Sequence, residues 1–176
     1  DKDQVYDGML SVFHRLLDFE DAFVLAPTSA KRNILECVAA NKPQYVNQQW
    51  VPQDFLNRVL AGETLTVFDI SQIPEWQEQP IELRQTIVSA LHIAISNSDN
   101  SSILICTHST RGFFTRRQVN LAKRFALLAT QSLQKTNLYA AVKHDRDTLE
   151  TRVQERTKRI KDLARFPDEN PAPVMR

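Results

Sequence analysis

The side chains with the widest chemical range in this 176-residue chain are four histidines and two cysteines. His14 and Asp18 lie one helical turn apart, the spacing of a metal-binding pair, but two ligands do not make a site. Cys37 and Cys106 are isolated from one another and make neither a disulfide framework nor a zinc pattern. Strand cysteines act mostly as small buried hydrophobes, and that is the role expected of both. His92 and His108 fall in apolar, strand-like stretches, where a histidine either hydrogen-bonds backbone or faces a polar ligand. The three glycines, Gly8, Gly62 and Gly112, cannot build a glycine-rich phosphate loop. No nucleophile–base pair and no metal set stands out, so no catalytic residue is expected in this segment.

The elements that must position these residues come from composition and periodicity. A hydrophobic fraction of 42% suffices for a packed core, and the length fits one ordinary domain with an appendage. A net charge of +1 gives no global pull toward nucleic acid or an anionic membrane. No apolar run approaches a membrane span, and the N-terminal residues "DKDQVYDGML" are no signal peptide, so a cytoplasmic setting with reduced thiols is expected.

Val5, Met9, Val12, Phe13, Leu16 and Leu17 predict a helix over 2–19 with one apolar stripe. Strands are expected at 21–27, ended by Pro27, and at 32–40, with Ile34 and Leu35 as the apolar start. A helix over 52–61 has Pro52 at its first position and Gly62 as its C-terminal cap. "TLTVFDI", 64–70, is β-branched and aromatic and reads as a strand. "SQIPEWQEQP" follows as an irregular crossing segment with Pro74 and Pro80. The stretches 86–96 and 102–108, joined by "NSDNS", form an antiparallel hairpin. On the first of these strands Ile87, Leu91, Ile93 and Ile95 share one face and Val88, Ala90, His92 and Ala94 the other. Apolar residues on both faces mark a central strand.

Thr115 and Gln118 form a capping-box pattern, with Phe114 and Val119 placed as a hydrophobic staple. A helix thus starts near 116 and meets no breaker before Arg165, a run of roughly 75 Å at ~1.5 Å per residue. Ala122, Phe125, Ala126, Ala129 and Leu133 should pack on the sheet. Leu138, Val142, Leu149, Val153, Ile160 and Leu163 then recur as a narrow stripe among mixed charges. A lone helix would leave that stripe in water, so a homodimeric coiled coil is expected, with the 5–17 helix completing a four-helix bundle. The step from Leu149 to Val153 interrupts the heptad, and Asp145 and Arg156 lie on or near the seam.

The order helix, two strands, helix, strand, crossing segment, hairpin, long helix resembles a GAF domain over residues 3 to about 140. The stretch carrying the likeness is "SALHIAISNSDNSSILICTHSTRGFFTRRQVNLAKRFALLATQSL", with "TVFDI" similar to the family's strand ending in an aspartate. "LETRVQERTKRI" is similar to the signalling helix of bacterial two-component sensors, and "FPDENPAPVMR" to the first residues of a PAS domain. These likenesses imply an α/β (α+β) fold with a central antiparallel sheet flanked by helices and a long C-terminal coiled-coil helix. They imply three segments: a GAF-like sensory domain at 1–140, a signalling helix at 141–165 and the start of a PAS-like module at 166–176. The implied parent is a sensor histidine kinase, possible also as a hybrid, with PAS and kinase modules downstream as partners.

The resemblance also ranks the candidate sites. If the His92 face lines the GAF pocket, Trp50, Asp69, Trp76, His92 and Cys106 are its ligand-binding candidates, the ligand being a small molecule of unknown identity. No cofactor is identified. Bilin-binding GAF domains place a histidine after the cysteine, whereas Val38 follows Cys37 and Thr107 follows Cys106. The GAF-type methionine sulfoxide reductases need several active-site cysteines, which this chain does not supply. "NKPQYVNQQW" opens like the Asn-Lys-x-x-Phe signature of cyclic-nucleotide GAF domains but has Tyr45 for Phe and lies too early. His144-Asp145-Arg146 is similar to the start of a kinase phospho-acceptor box but lacks its leucine and proline, so a solvated helix position is expected. The competing functions are a structural dimerisation module without a ligand, or the input module of a diguanylate cyclase or phosphodiesterase.

Overall fold

The computed structural model of the chain describes residues 2–28, 33–96 and 101–165. The expected PAS-like start at 166–176 lies outside the described residues. The chain forms two compact units, Asp1–Gln134 and Lys135–Arg176.

The first unit is built on a six-stranded sheet with the order β3-β2-β1-β6-β5-β4, every neighbouring pair antiparallel. The strands are β1 (Asp21–Pro27), β2 (Leu35–Ala40), β3 (Gln49–Trp50), β4 (Leu65–Val67), β5 (Ser89–Ser96) and β6 (Ser101–His108). β1 and β6 form the centre, with Asp21 opposite Thr107 and Leu25 opposite Ile103. The hairpin β5–β6 pairs Ser89 with His108 and runs to Ser96 with Ser101. Its turn falls outside the described residues. The two edge strands are only two and three residues long.

Both faces of the sheet are buried, as the two-sided apolar pattern of β5 requires. One face presents Ala22, Val24, Ala39, Leu91, Ile93, Leu104 and Cys106 to the helix α1 (Lys2–Leu16) and to the start of α5 (Arg116–Arg165). The other presents Phe23, Leu25, Cys37, Ala90, Ile103 and Ile105 to three short helices. These are α2 (Asp54–Leu60), α3 (Pro74–Gln77) and α4 (Ile81–Arg84). A bulge in β2 makes the two-face pattern possible there. Val24 pairs with Ala39 and Leu25 with Cys37, so Val38 is the extra residue.

Several local expectations change once packing is added. The apolar stripe of α1 divides into two. Tyr6, Leu10, Phe13 and Leu17 are buried in the core, whereas Val12 and Leu16 are 52% and 50% exposed. Adjacent helical positions sit ~100° apart, so pairs such as 12/13 and 16/17 cannot serve one contact. Ile87 does not share a face with Leu91. β5 begins at Ser89, and Ile87, just before it, packs with the opposite core. Pro52 lies outside α2, whose N-cap is Gln53. Gly62 does terminate α2: at φ +103 it donates to the Val59 carbonyl while Glu63 donates to Arg58, a Schellman arrangement. In the crossing segment the prolines start helices instead of preventing them, with Pro74 in the first turn of α3 and Pro80 capping α4.

α5 opens with the expected capping box. The Gln118 side chain accepts from the Thr115 N–H at 2.9 Å and from its hydroxyl, and Phe114 and Val119 both join the core. The entry into this helix is pinned to the end of β4. Gly112, at φ +64, donates to the Phe68 carbonyl at 3.2 Å, the Arg111 guanidinium lies 5.9 Å from the Phe68 ring centre, and Arg111 pairs with Asp69. A Cβ at position 112 would collide with the Phe68 ring, and its φ disfavours any side chain. Gly112→Ala should therefore cost about 1–3 kcal/mol in urea unfolding. In a Phe68→Ala background the loss should shrink, leaving the backbone part. Equal losses in both backgrounds would show that the ring contact plays no part.

Candidate functional site

His92 sits on β5 with its side chain toward the short helices and no solvent exposure. Strand alternation places it there, opposite in parity to Leu91. The Trp76 indole N–H donates to His92 Nε2 at 3.1 Å, so the neutral imidazole carries its proton on Nδ1. Burial pushes the His92 pKa down from 6.5 to about 3, and the Leu65 carbonyl opposite it in the β4–β5 ladder offsets only part of this. Nδ1 is buried, and its contact with the Leu65 backbone falls short of regular hydrogen-bond geometry.

Around this pair lies a closed set of aromatic rings. Trp50 meets Trp76 edge-on at 5.0 Å, Phe55 meets His92 edge-on at 4.9 Å, and Phe23 stacks on Tyr45 at 4.8 Å and leans on Trp50. Trp50 and Trp76 are 2% and 1% exposed. The structure thus brings Trp50, Trp76 and His92 together. It places Cys106 elsewhere: Cys106 pairs with Leu91 in the hairpin and faces α1 and α5, across the sheet from His92. Burial raises the Cys106 thiol pKa well above its usual value, and that of Cys37 to about 12, so both stay protonated. Asp69 also points away from the rings. It caps a short turn by accepting from the Ser71 N–H at 3.0 Å and pairs with Arg111, and these contacts hold its carboxyl below the usual carboxylate range.

Three groups that the sequence did not single out complete the arrangement. Glu75, next to Trp76 and 2% exposed, accepts from the backbone N–H groups of Gln53 at 3.2 Å and Leu56 at 3.0 Å. It caps α2 from 19 residues away in sequence, in place of Gln53, whose own side chain makes no cap bond. Gln53 instead reaches Glu78 at 2.6 Å. The third group is Asp21, buried at the start of β1, which accepts from the Tyr45 hydroxyl at 2.9 Å and pairs with Lys42 at 2.7 Å. Burial first and this carboxylate second raise the Tyr45 pKa. "NKPQY" is therefore a clamp on β1: Asn41 also accepts from the Ala22 N–H and donates to the Glu20 carbonyl.

Of the other histidines, His108 lies flat on Phe113 at 3.6 Å and accepts from the Thr110 N–H. His14 is exposed against the edge of Phe19, and His144 is exposed on α5. Among the described residues no group of three or more His, Cys, Asp or Glu is placed to hold a metal ion.

In the second unit Leu138, Val142, Leu149, Val153 and Ile160 are all exposed, between 59% and 66%. The Leu163 side chain lies outside what the structure describes. The hydroxyls of Thr148, Thr151 and Thr157 bond back to the carbonyls four residues earlier, and Arg146 pairs with Glu150 at 2.8 Å.

No family model matches the chain, and no curated protein matches it. Solved structures do. The GAF domain of a two-component sensor histidine kinase from Bacillus halodurans superposes with a TM-score of 0.61 at 12% identity, covering 80% of this chain and 98% of that one. The GAF domain of a phosphoenolpyruvate-protein phosphotransferase from Coxiella burnetii gives 0.65 at 11% identity, covering 79% and 86%. The blue-light-absorbing form of the PixJ GAF domain from Thermosynechococcus elongatus gives 0.57 at 16% identity, covering 82% and 94%. The fold is GAF-like. At such identities the likeness carries the architecture, and one architecture serves proteins as different as these three.

The buried neutral His92 makes a pH prediction. Its folded pKa lies below its unfolded value, so the unfolded chain takes up a proton that the folded chain does not. The stabilisation is full above pH 6.5 and is lost as pH falls from 6.5 toward 3. The slope from this one group approaches about 1.4 kcal/mol per pH unit near pH 5. The difference in unfolding free energy between the native chain and His92→Phe should narrow with that slope between pH 7 and about 5. A difference that stays constant with pH would count against a neutral buried His92.

Proposed function

We propose that the chain is a sensory or regulatory GAF-like input module of a bacterial two-component sensor histidine kinase, working in the cytoplasm. A small molecule or a partner domain acts on the Trp50–Trp76–His92 box, and α5 relays the change to PAS and kinase modules further along the parent chain. The proposed segments are the sensory domain at 1–140, the signalling helix at 141–165 and the PAS-like start at 166–176. The carrying observation is the combination of a GAF-like fold with a helix whose apolar residues 138, 142, 149, 153 and 160 stand in water. An isolated helix of that kind draws little stability from its own propensity, and a second copy supplies the missing surface. Val12 and Leu16 on α1, and Leu121 and Leu128 on α5, offer the same kind of surface within the first unit.

A route from box to helix is at hand within the first unit. The segment bearing Trp76 begins at Phe68 and Asp69, which hold Gly112 and Arg111 at the entry to α5. A ligand can bias such a connection only by its difference in affinity for two states, a few kcal/mol at most. Asp145 and Arg156 near the seam keep the paired helices from being deeply stable, which suits a biased two-state element.

The closed packing of the box favours a second reading, a structural dimerisation module that binds no ligand. With Trp50, Trp76 and His92 all at 2% exposure or less, the rings already satisfy each other. A thermal-shift screen against a metabolite library separates the two readings: a saturable rise in Tm supports the sensor, and no shift from any compound supports the dimerisation module.

Two further outcomes are expected. The chain should sediment as a dimer at micromolar concentration, and Leu149→Glu with Val153→Glu should loosen it while the first unit stays folded by circular dichroism. A monomer at high micromolar concentration would sink the paired helix. In the parent protein, deleting seven residues within 143–162 should keep regulated output. Deleting four shifts the stripe by about 40° from a whole turn and should lock the output on or off. Identical behaviour of the two deletions would remove helix phase from the mechanism.

A further inference from the structure

We propose that the box around His92 takes a neutral, flat heteroaromatic ligand bearing a ring N–H, of the indole class, in the place now filled by the Trp76 side chain. This rests on the reading of the box as the sensory site.

Three observations carry it. First, the box already recognises an indole: the ring N–H of Trp76 donates to His92 Nε2, with Trp50 and Phe55 set edge-on around the pair. A free ligand that repeats this pattern meets the same donor requirement and the same ring edges. Second, His92 is fully buried and its Nδ1, the protonated nitrogen, meets only the Leu65 backbone, without a hydrogen bond of regular geometry. The rings and Leu65 that surround this imidazole carry no charge, and the imidazole itself stays neutral, so an anionic ligand would be buried unpaired. Third, Trp76 sits on the four-residue α3. Its segment is tied to its surroundings by side-chain bonds, Glu75 to the α2 amides, Gln53 to Glu78 and Arg84 to Gln77, and at its start by the backbone bonds of Phe68 with Gly112 and of Ile70 with Val88. Segments held in this way open at lower cost than a strand ladder. Displacing Trp76 would pull Glu75 from the α2 N-terminus, so occupancy of the box is coupled to α2.

The test titrates the 176-residue chain by calorimetry with indole and with 1-methylindole, which carries a methyl group in place of the ring N–H proton. Indole should bind saturably, and 1-methylindole about tenfold or more weaker, the worth of one buried hydrogen bond. Trp76→Phe removes the internal competitor for Nε2 and should tighten indole binding, because a competent box is populated more often. His92→Phe should weaken indole about tenfold or more. If His92→Phe fails to fold, Trp76→Phe and 1-methylindole decide the matter. Equal binding of indole and 1-methylindole overturns the proposal, as does unchanged affinity in Trp76→Phe. Absence of indole binding alongside a library compound that does bind overturns the ligand class and leaves the sensor standing. Absence of binding by either removes both.

Discussion

The sheet between β2 and β5 is dry on both faces, and the rest of the first unit follows from that constraint. A strand residue there is apolar or has a partner, because an unpaired buried polar group costs on the order of 1–3 kcal/mol. Two helical layers are then required, and they differ in kind. One face is covered by α1 and the start of α5, whose side chains recur at helical spacing. The other is covered by short helices that place single large residues, Leu56, Trp76 and Leu83, into the gaps. Polar groups admitted to this interior are tied down, among them Asp21 by Tyr45 and Lys42, Glu75 by two backbone amides, and His92 by Trp76. The Nδ1 of His92 is the departure from that pattern.

What was legible in the sequence was what is decided locally. β1 falls on the expected residues, the hairpin pairs as its alternation requires, and α5 starts at its capping box, because each depends on neighbours within a few positions. Strand parity put His92 on the face away from Leu91, and the GAF resemblance put Trp50 and Trp76 beside it. The companion residues were not legible. Cys106 lies in a strand apolar on both sides, where composition does not tell the faces apart, and only its pairing with Leu91 assigns it. Asp69 ends a strand shorter than its β-branched run suggests, because Phe68 and Asp69 leave the sheet to meet Arg111 and Gly112. Glu75 was invisible for a different reason: a cap supplied by another element leaves no trace in the capped helix's own sequence.

The two layers also divide labour. The layer of α1 and α5 continues in sequence into the exposed stripe of the second unit, while the layer of α2 to α4 holds the aromatic box. The sheet separates them, so the proposed relay from the box to α5 runs through the rim of the sheet, not through its middle. Phe68, Asp69, Arg111 and Gly112 form that rim contact. The Gly112–Phe68 backbone hydrogen bond, made at a positive φ that favours glycine, is a stiffer link than a pair of surface charges, which contributes roughly 0–1 kcal/mol.

The shortness of the outer strands has a consequence for how copies of this protein meet. β3 offers two residues of open ladder and β4 three, too few to template a strand from another molecule. Edge-to-edge growth, the route by which sheets become fibres, is closed at both ends. The same truncation that makes the sheet look incomplete removes its edges as a route to open-ended growth.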